Sequence, residues 1–241
     1  INNDGALDIY AVNWGEANEM YLNNGQGRFT RVDRGANGTF EDKSVFGQQG
    51  VSAVDVNNDG YIDLYVCRRQ EGQLDTPNWL FMNDGNGFFT EEAQIRGVAY
   101  GGRTNGATFA DVDNDGDLDL FVANYPLSKA EKPKLGVFFN RGDGYFDDRT
   151  NEFNIEAAAY NVLFADVDND GDLDMLIIHN NSKYPSDTPI LYLNNGEGKF
   201  TPVENSGVEV PANDARGAAF ADINNNGRLD LYIACKFGQN Y

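Results

Sequence analysis

Apolar residues fall along this chain in short runs, none longer than a strand, and the stretches between them are rich in Asn, Asp and Gly. Residues 107–111, 118–123, 137–140 and 145–148 each read as one strand. An acidic turn joins the first two. The last two flank the tip Phe138-Phe-Asn-Arg-Gly-Asp-Gly-Tyr-Phe146, and the same Asn-x-Gly-x-Gly form recurs at 21–29, 81–89 and 192–200. Asn and Gly tolerate the positive φ of tight hairpin turns, so each tip predicts a β-hairpin. No apolar run reaches the length of a membrane-spanning helix or a signal peptide.

The acidic turn is itself a repeat. Asp55-Val-Asn-Asn-Asp-Gly-Tyr-Ile-Asp63 aligns with the segments starting at Asp111, Asp166 and Asp222, spaced 56, 55 and 56 positions apart. Residues 1–8 carry the same pattern without its first Asp, so the N-terminus is expected to be a truncation of a longer protein. Four short antiparallel strands per repeat of this length predict the blade of an all-β propeller. The expected blades are 1–32 (partial, without its inner strand), 50–93, 106–149, 160–204 and 217–241 (partial), one propeller fragment of four to five blades.

The pattern D-x-[DN]-x-[DN]-G-x-x-D places oxygen side chains at positions one, three, five and nine, with a backbone carbonyl available at seven. Such all-oxygen sets select a hard cation, and their ligand number favours Ca²⁺ over Mg²⁺. The candidate ligands are Asn2, Asp4, Ala6 and Asp8; Asp55, Asn57, Asp59, Tyr61 and Asp63; Asp111, Asp113, Asp115, Asp117 and Asp119; Asp166, Asp168, Asp170, Asp172 and Asp174; and Asp222, Asn224, Asn226, Arg228 and Asp230. Up to five ions are expected, the last loop binding most weakly because only Asp222 and Asp230 remain acidic. An EF-hand would need Glu at position twelve, where this chain has Val66, Val122, Ile177 and Ile233.

Charge supports this reading. The chain of 241 residues carries a net charge of −20, and 17 of its 38 acids lie in the five loops. Carboxylates packed so closely repel one another unless a cation sits among them. The same charge argues against nucleic-acid binding. Two cysteines, Cys67 and Cys235, and one histidine, His179, leave no spacing for zinc, haem or iron–sulfur sites; the cysteines lie three repeats apart and are not expected to pair with each other.

At this period, followed by strands such as Leu118-Asp-Leu-Phe-Val-Ala-Asn124 and preceded by Gly106-Ala-Thr-Phe-Ala-Asp111, the loops resemble the FG-GAP/VCBS repeats of integrin-α-like propellers. The Phe-Asn-x-Gly-x-Gly-x-Phe tip is similar to the cartilage-acidic-protein (ASPIC/UnbV-type) branch. The resemblance implies about seven blades in the parent protein, a secreted or cell-surface setting, and roles in adhesion or recognition.

Strand alternation places the acidic loops and hairpin tips at one end of the blades. The loops of variable length lie at the other, where binding usually resides. Ligand candidates there are Trp14, Trp79, Tyr125, His179 and Tyr184, with glycosylation sequons at Asn37 and Asn180. Edge packing between blades explains the tryptophans equally well, and a lone histidine reads as a loop surface residue. Arg141-Gly142-Asp143 occupies the variable slots of a repeated hairpin tip and reads as turn filler. Three functions remain open. The first is a calcium-stabilised extracellular module for protein or glycan partners, without membrane insertion. The second is a carbohydrate-active propeller: a lectin, or a lyase using His179 or a tyrosine with Arg68, Arg69 or Arg103. The third is a structural repeat in a secreted assembly. No nucleophile elbow or phosphate loop supports catalysis.

Overall fold

The computed structural model describes residues 1–13, 16–36, 48–69, 76–125, 133–179, 188–209, 215–236 and 240–241. Its strands are β1 (Ile9–Ala11), β2 (Glu19–Asn23), β3 (Phe29–Val32), β4 (Gln48–Val54), β5 (Asp63–Arg68), β6 (Trp79–Asn83), β7 (Phe89–Glu91), β8 (Arg103–Ala110) and β9 (Asp119–Tyr125). They continue with β10 (Gly136–Asn140), β11 (Phe146–Asp148), β12 (Ala159–Ala165), β13 (Asp174–His179), β14 (Ile190–Asn194), β15 (Phe200–Pro202), β16 (Ala215–Ala221) and β17 (Asp230–Cys235). Sheets β4–β7, β8–β11 and β12–β15 each hold four strands paired in chain order. Among the described residues the first sheet has β1-β2-β3 and the last β16-β17. These are all-β, propeller-like blades, with antiparallel pairing throughout the recorded registers, such as Leu64↔Phe81 and Asn83↔Phe89.

The second strand of each full blade is buried on both faces. In β5, Leu64, Tyr65, Val66 and Cys67 are all buried, as are Met175 to Ile178 in β13. That is why these strands read as continuous apolar runs rather than as alternating ones. The inner strands β4, β12 and β16 begin earlier than the motifs suggest. Each carries a β-bulge near its start, between Gln48 and Gly50, Ala159 and Asn161, and Ala215 and Gly217. The extra residue lengthens the strand and increases its local twist.

The chain forms two compact units, residues 1–107 with 138–148, and residues 108–137 with 149–241. The first is centred on Met20, Leu64, Val66, Phe81 and Phe89. The second has Leu176, Ile178, Ala215 and Ile233 at its centre, and Phe121 packs edge-on to Phe200 and 4.8 Å from Phe164. Hydroxyls tie neighbouring inner strands within each unit: Ser52 Oγ donates to Ala107 O and Thr108 Oγ1 to Val162 O, both at 2.7 Å.

Two single helical turns, α1 (Ala93–Arg96) and α2 (Thr150–Phe153), follow the fourth strands. They are too short to show a helical period in the sequence. Each ends in a left-handed residue, Gly97 (φ 83°) or Asn154 (φ 49°). A Cβ on Gly97 would stand 2.7 Å from the carbonyl oxygen of Phe146. Gly97→Ala therefore combines a left-handed penalty of about 1–2 kcal/mol with a backbone clash. It is expected to lower the thermal midpoint by roughly 4–8 °C, as measured by calorimetry.

Candidate metal centre

Each acidic loop connects the first and second strands of a blade, except the first loop, which leads directly into β1. The turn is built from two left-handed residues. Position four is Asn3, Asn58, Asn114, Asn169 or Asn225, at φ between 55° and 64°. Position six is glycine, with φ of 91° at Gly116 and 96° at Gly171. Asn at position four is present in all five loops, a signal that a reading centred on acidic ligands passes over.

The carboxylates also organise the backbone that carries them. At position one, Asp55, Asp111, Asp166 and Asp222 accept the N–H of the position-six glycine at 2.7 to 3.1 Å. At position five, Asp59, Asp115, Asp170 and Asn226 accept the N–H of position seven (Tyr61, Asp117, Asp172, Arg228) at 2.8 to 2.9 Å, and Asp4 accepts that of Ala6. Position nine is buried at Asp63, Asp119 and Asp174. Asp63 accepts Val56 N–H at 3.2 Å and Asn83 N–H at 2.8 Å; Asp174 accepts Val167 N–H at 3.0 Å and Asn194 N–H at 2.9 Å. Asp8 likewise accepts Asn23 N–H, and Asp230 accepts Ile223 N–H. The ninth carboxylate thus clamps the loop to its own second residue and, at Asp8, Asp63 and Asp174, to the hairpin tip.

Two loops gather three carboxylates with ligand atoms within 4.8 Å of one another: Asp111, Asp113 and Asp115, and Asp166, Asp168 and Asp174. These acidic clusters can coordinate a metal ion. Asp111 Oδ1 and Asp113 Oδ1 are buried and accept no hydrogen bond. Buried oxygens normally find a donor, so a cation fits the position both oxygens leave open. Burial, followed by the charges of Asp115 and Asp111, raises the Asp113 carboxyl above its ordinary range. Burial and the charges of Asp168 and Asp170 do the same at Asp174. Asp63 is pushed up to about 6 by burial, with Asp59 and Asp55 adding to it and the N–H groups of Asn83 and Val56 opposing it.

The loops with Asn at position three differ. Asn2 Nδ2 donates to Asp4 Oδ2 at 2.8 Å, Asn57 Nδ2 to Asp59 Oδ2 at 2.9 Å, and Asn224 Nδ2 to Asp230 Oδ2 at 3.2 Å. There an amide dipole partly answers the carboxylate charge. Position seven reaches the hairpin: the Tyr61 ring covers Gly85 and the Asp172 carboxylate covers Gly196.

The first Asn of the hairpin tip has more than a turn-forming role. Asn140 Oδ1 accepts Gly142 and Gly144 N–H, and its Nδ2 donates to Val56 O, in the acidic loop one blade earlier, at 2.8 Å. Asn83 and Asn194 reach Ile1 O and Val112 O in the same way. The recurrence of this Asn is visible in the sequence. Its reach into the preceding repeat is not, because the partners are 82 to 84 residues away.

At the other end of the strands, Trp79 is half-buried against the core, with the Arg68 guanidinium 4.0 Å over its ring and Phe81 at 5.6 Å. Tyr125 ends β9, 6.0 Å from Tyr160. His179 is the last residue of β13 and is buried, not on a surface loop; the strand continues farther than its apolar run. Trp14, Tyr184, Asn37 and Asn180 lie outside the described residues. In the Arg141-Gly142-Asp143 tip, Arg141 pairs with Asp147, and Asp143 Oδ1 accepts Tyr145 N–H while its carbonyl accepts from Arg96. Neither Cys67, which is buried, nor Cys235 is in a disulfide.

Blades with acidic, glycine-turned loops between their first two strands define a class of propeller-type repeat protein. The chain belongs to the FG-GAP-like repeat family, whose model matches residues 1–66, 55–122, 129–177 and 180–233. Cartilage acidic protein 1 of Xenopus tropicalis is 28% identical over 78% of this chain and 29% of its own length. The Homo sapiens protein is 26% identical over 78% of this chain and 28% of its own length. The chain therefore spans less than a third of these curated relatives. An Agrocybe aegerita lectin, solved for its specific recognition of non-reducing terminal N-acetylglucosamine, has a similar fold: TM-score 0.56 and 20% identity, over 97% of this chain and 58% of the lectin. Relatedness to cartilage acidic protein supports an extracellular setting for this module. Among the described residues no helix is long and apolar enough to cross a membrane.

Proposed function

We propose that this chain is a calcium-stabilised extracellular recognition module: a β-propeller fragment with blades near 1–32, 50–93, 106–149, 160–204 and 217–241. Its ions are mainly structural. The observation that carries the calcium reading is the pair of buried carboxylate oxygens, Asp111 Oδ1 and Asp113 Oδ1, that accept no hydrogen bond inside a three-carboxylate cluster. The residues that would hold calcium are the side chains at positions one, three, five and nine with the carbonyl at seven. The ion would neutralise their mutual repulsion. Oxygen number and flexible loop geometry favour Ca²⁺ over Mg²⁺.

Calorimetric titration tests this. The loops beginning at Asp111 and Asp166 are expected to bind calcium most tightly, and the Asp222 loop, with Asn224 and Asn226 in ligand positions, at least about tenfold more weakly. Equal affinity in single-loop variants of the Asp222 and Asp111 loops would defeat the ranking.

Proton competition gives a second expectation. With its carboxyl raised from 3.8 to about 6, Asp63 in the ion-free fold holds a proton more tightly than in the unfolded chain. Its contribution thus favours the ion-free fold at low pH and is lost as pH rises through about 6. Protons and calcium compete for the same oxygens. Calcium affinity is therefore expected to weaken markedly from about pH 7.5 to about pH 5.5, as read by calorimetry at the two values.

The ligand, protein or glycan, is assigned to the strand ends opposite the metal loops, where Tyr125 and Trp79 stand. A glycan reading draws support from a polar cleft of about 450 Å³ lined by Asn13, Glu16, Ala17, Glu19 and Arg31. There Glu19 pairs with Arg31 at 3.2 Å and accepts the Tyr21 hydroxyl at 2.8 Å. Co-elution with intact polysaccharides on size exclusion separates the two: a retained glycan supports a lectin-like role, and its absence directs the search to protein partners.

A further inference from the structure

The two loops that gather three carboxylates each are bridged to one another. Asn194, the first Asn of its hairpin tip, donates its backbone N–H to Asp174 Oδ1 at 2.9 Å and its side-chain amide to Leu173 O at 3.1 Å. The same amide donates to Val112 O at 2.7 Å, in the preceding loop. Val112 in turn donates its N–H to Asp119 Oδ2. A second bridge runs beside the first. Asn114 Nδ2 donates to Asp172 Oδ1 at 2.8 Å and to Gly196 O at 3.4 Å. Neither Asn114 nor Asn194 is a proposed ion ligand, yet each holds the frame of both loops.

We propose that Asn114 and Asn194 are positioning residues that couple the two loops, so that an ion bound in one raises the affinity of the other for calcium. The proposal rests on the calcium reading above. Without an ion, like charges in a loop resist closure, and ordering the loop costs conformational entropy. An ion among Asp111, Asp113 and Asp115 fixes Asn114 and the Val112 peptide. The loop of 166–174 and its hairpin tip then close against partners already in place, and less ordering remains. The effect must be reciprocal, because coupling between two binding equilibria is symmetric.

The full-length protein, ¹⁵N-labelled, is titrated with calcium while the amide signals of Gly116 and Gly171 follow each loop separately. These groups donate to Asp111 and Asp166 within their own loops. Asp113→Asn is expected to weaken its own loop and also to lower the affinity of the 166–174 loop about tenfold, a common size for coupling between sites. Asn114→Gly preserves tolerance of the positive φ and removes one bridge. In that background Asp113→Asn should lower the affinity of the 166–174 loop by no more than about threefold. Unchanged affinity at Gly171 in Asp113→Asn alone overturns the coupling while leaving the calcium reading intact. A full tenfold loss that persists in Asn114→Gly overturns the bridge as its route. Failure of both glycine signals to respond to calcium overturns the calcium reading and the coupling with it.

Discussion

Chelation of calcium from the purified protein is expected to lower its thermal midpoint by roughly 10–20 °C. A ligand present at a hundred times its dissociation constant stabilises a fold by about 2.7 kcal/mol per site. In a domain of this size each kcal/mol shifts the midpoint by about 2–4 °C. The two three-carboxylate clusters together account for a shift of this size, and the loops with Asn at position three add less. Two controls give the effect its cause. Magnesium at equal concentration should restore only a small part of the loss, since it demands rigid octahedral geometry. Added monovalent salt should raise the midpoint of the ion-free form more than that of the calcium form, because it screens carboxylate repulsion that calcium already cancels. A shift of under about 3 °C on chelation would mean that the hydrogen bonds of the loops hold them closed without an ion.

The second large effect is expected at Asn140. Asn140→Ala removes a buried amide that satisfies the carbonyl of Val56 and the N–H groups of Gly142 and Gly144. Val56 and Gly144 are themselves buried. Each group left without a partner costs about 1–3 kcal/mol. A loss of at least about 3 kcal/mol follows, or roughly 6–12 °C in the midpoint. The adjacent Arg141→Ala makes the comparison clean. Its ion pair with Asp147 is more than half exposed on the arginine side, and such pairs contribute at most about 1 kcal/mol. Equal losses in the two variants would refute the role assigned to the Asn140 amide.

The pairing of acidic loop with hairpin tip was readable in the sequence because both motifs recur at a fixed period and mark the turns of a four-stranded sheet. The strands were readable for a related reason: central strands buried on both faces appear as unbroken apolar runs. Three features were not. Position four of the loops reads as a neutral Asn until its left-handed φ is seen. Asp63 reads as an ion ligand by spacing alone, whereas its two oxygens also bind the N–H groups of Val56 and Asn83, one of them on another strand. The Asn140 amide spans 84 residues of sequence, and no local pattern encodes that distance. His179 was misread because a polar residue at the end of an apolar run resembles the start of a loop. Trp79 keeps both readings: it lies at the strand ends where a ligand would sit, and it is stacked beneath Arg68.

The loop beginning at Asp222 shows what the shared backbone permits. It retains the left-handed Asn225, Gly227 at φ 82°, and the bonds from Gly227 and Asn226 N–H to Asp222. Its fold is intact although two of its four ligand side chains are neutral. Shape and charge are therefore inherited separately in this repeat. Mutational drift can silence one loop, or re-arm it by a single Asn-to-Asp change at position three or five, without redesigning the blade around it. The charge of each loop is thus a separate variable, even where neighbouring loops are bridged. On the calcium reading proposed above, a lineage can match the protein to the ion concentration of its surroundings by changing individual letters rather than adding or removing repeats.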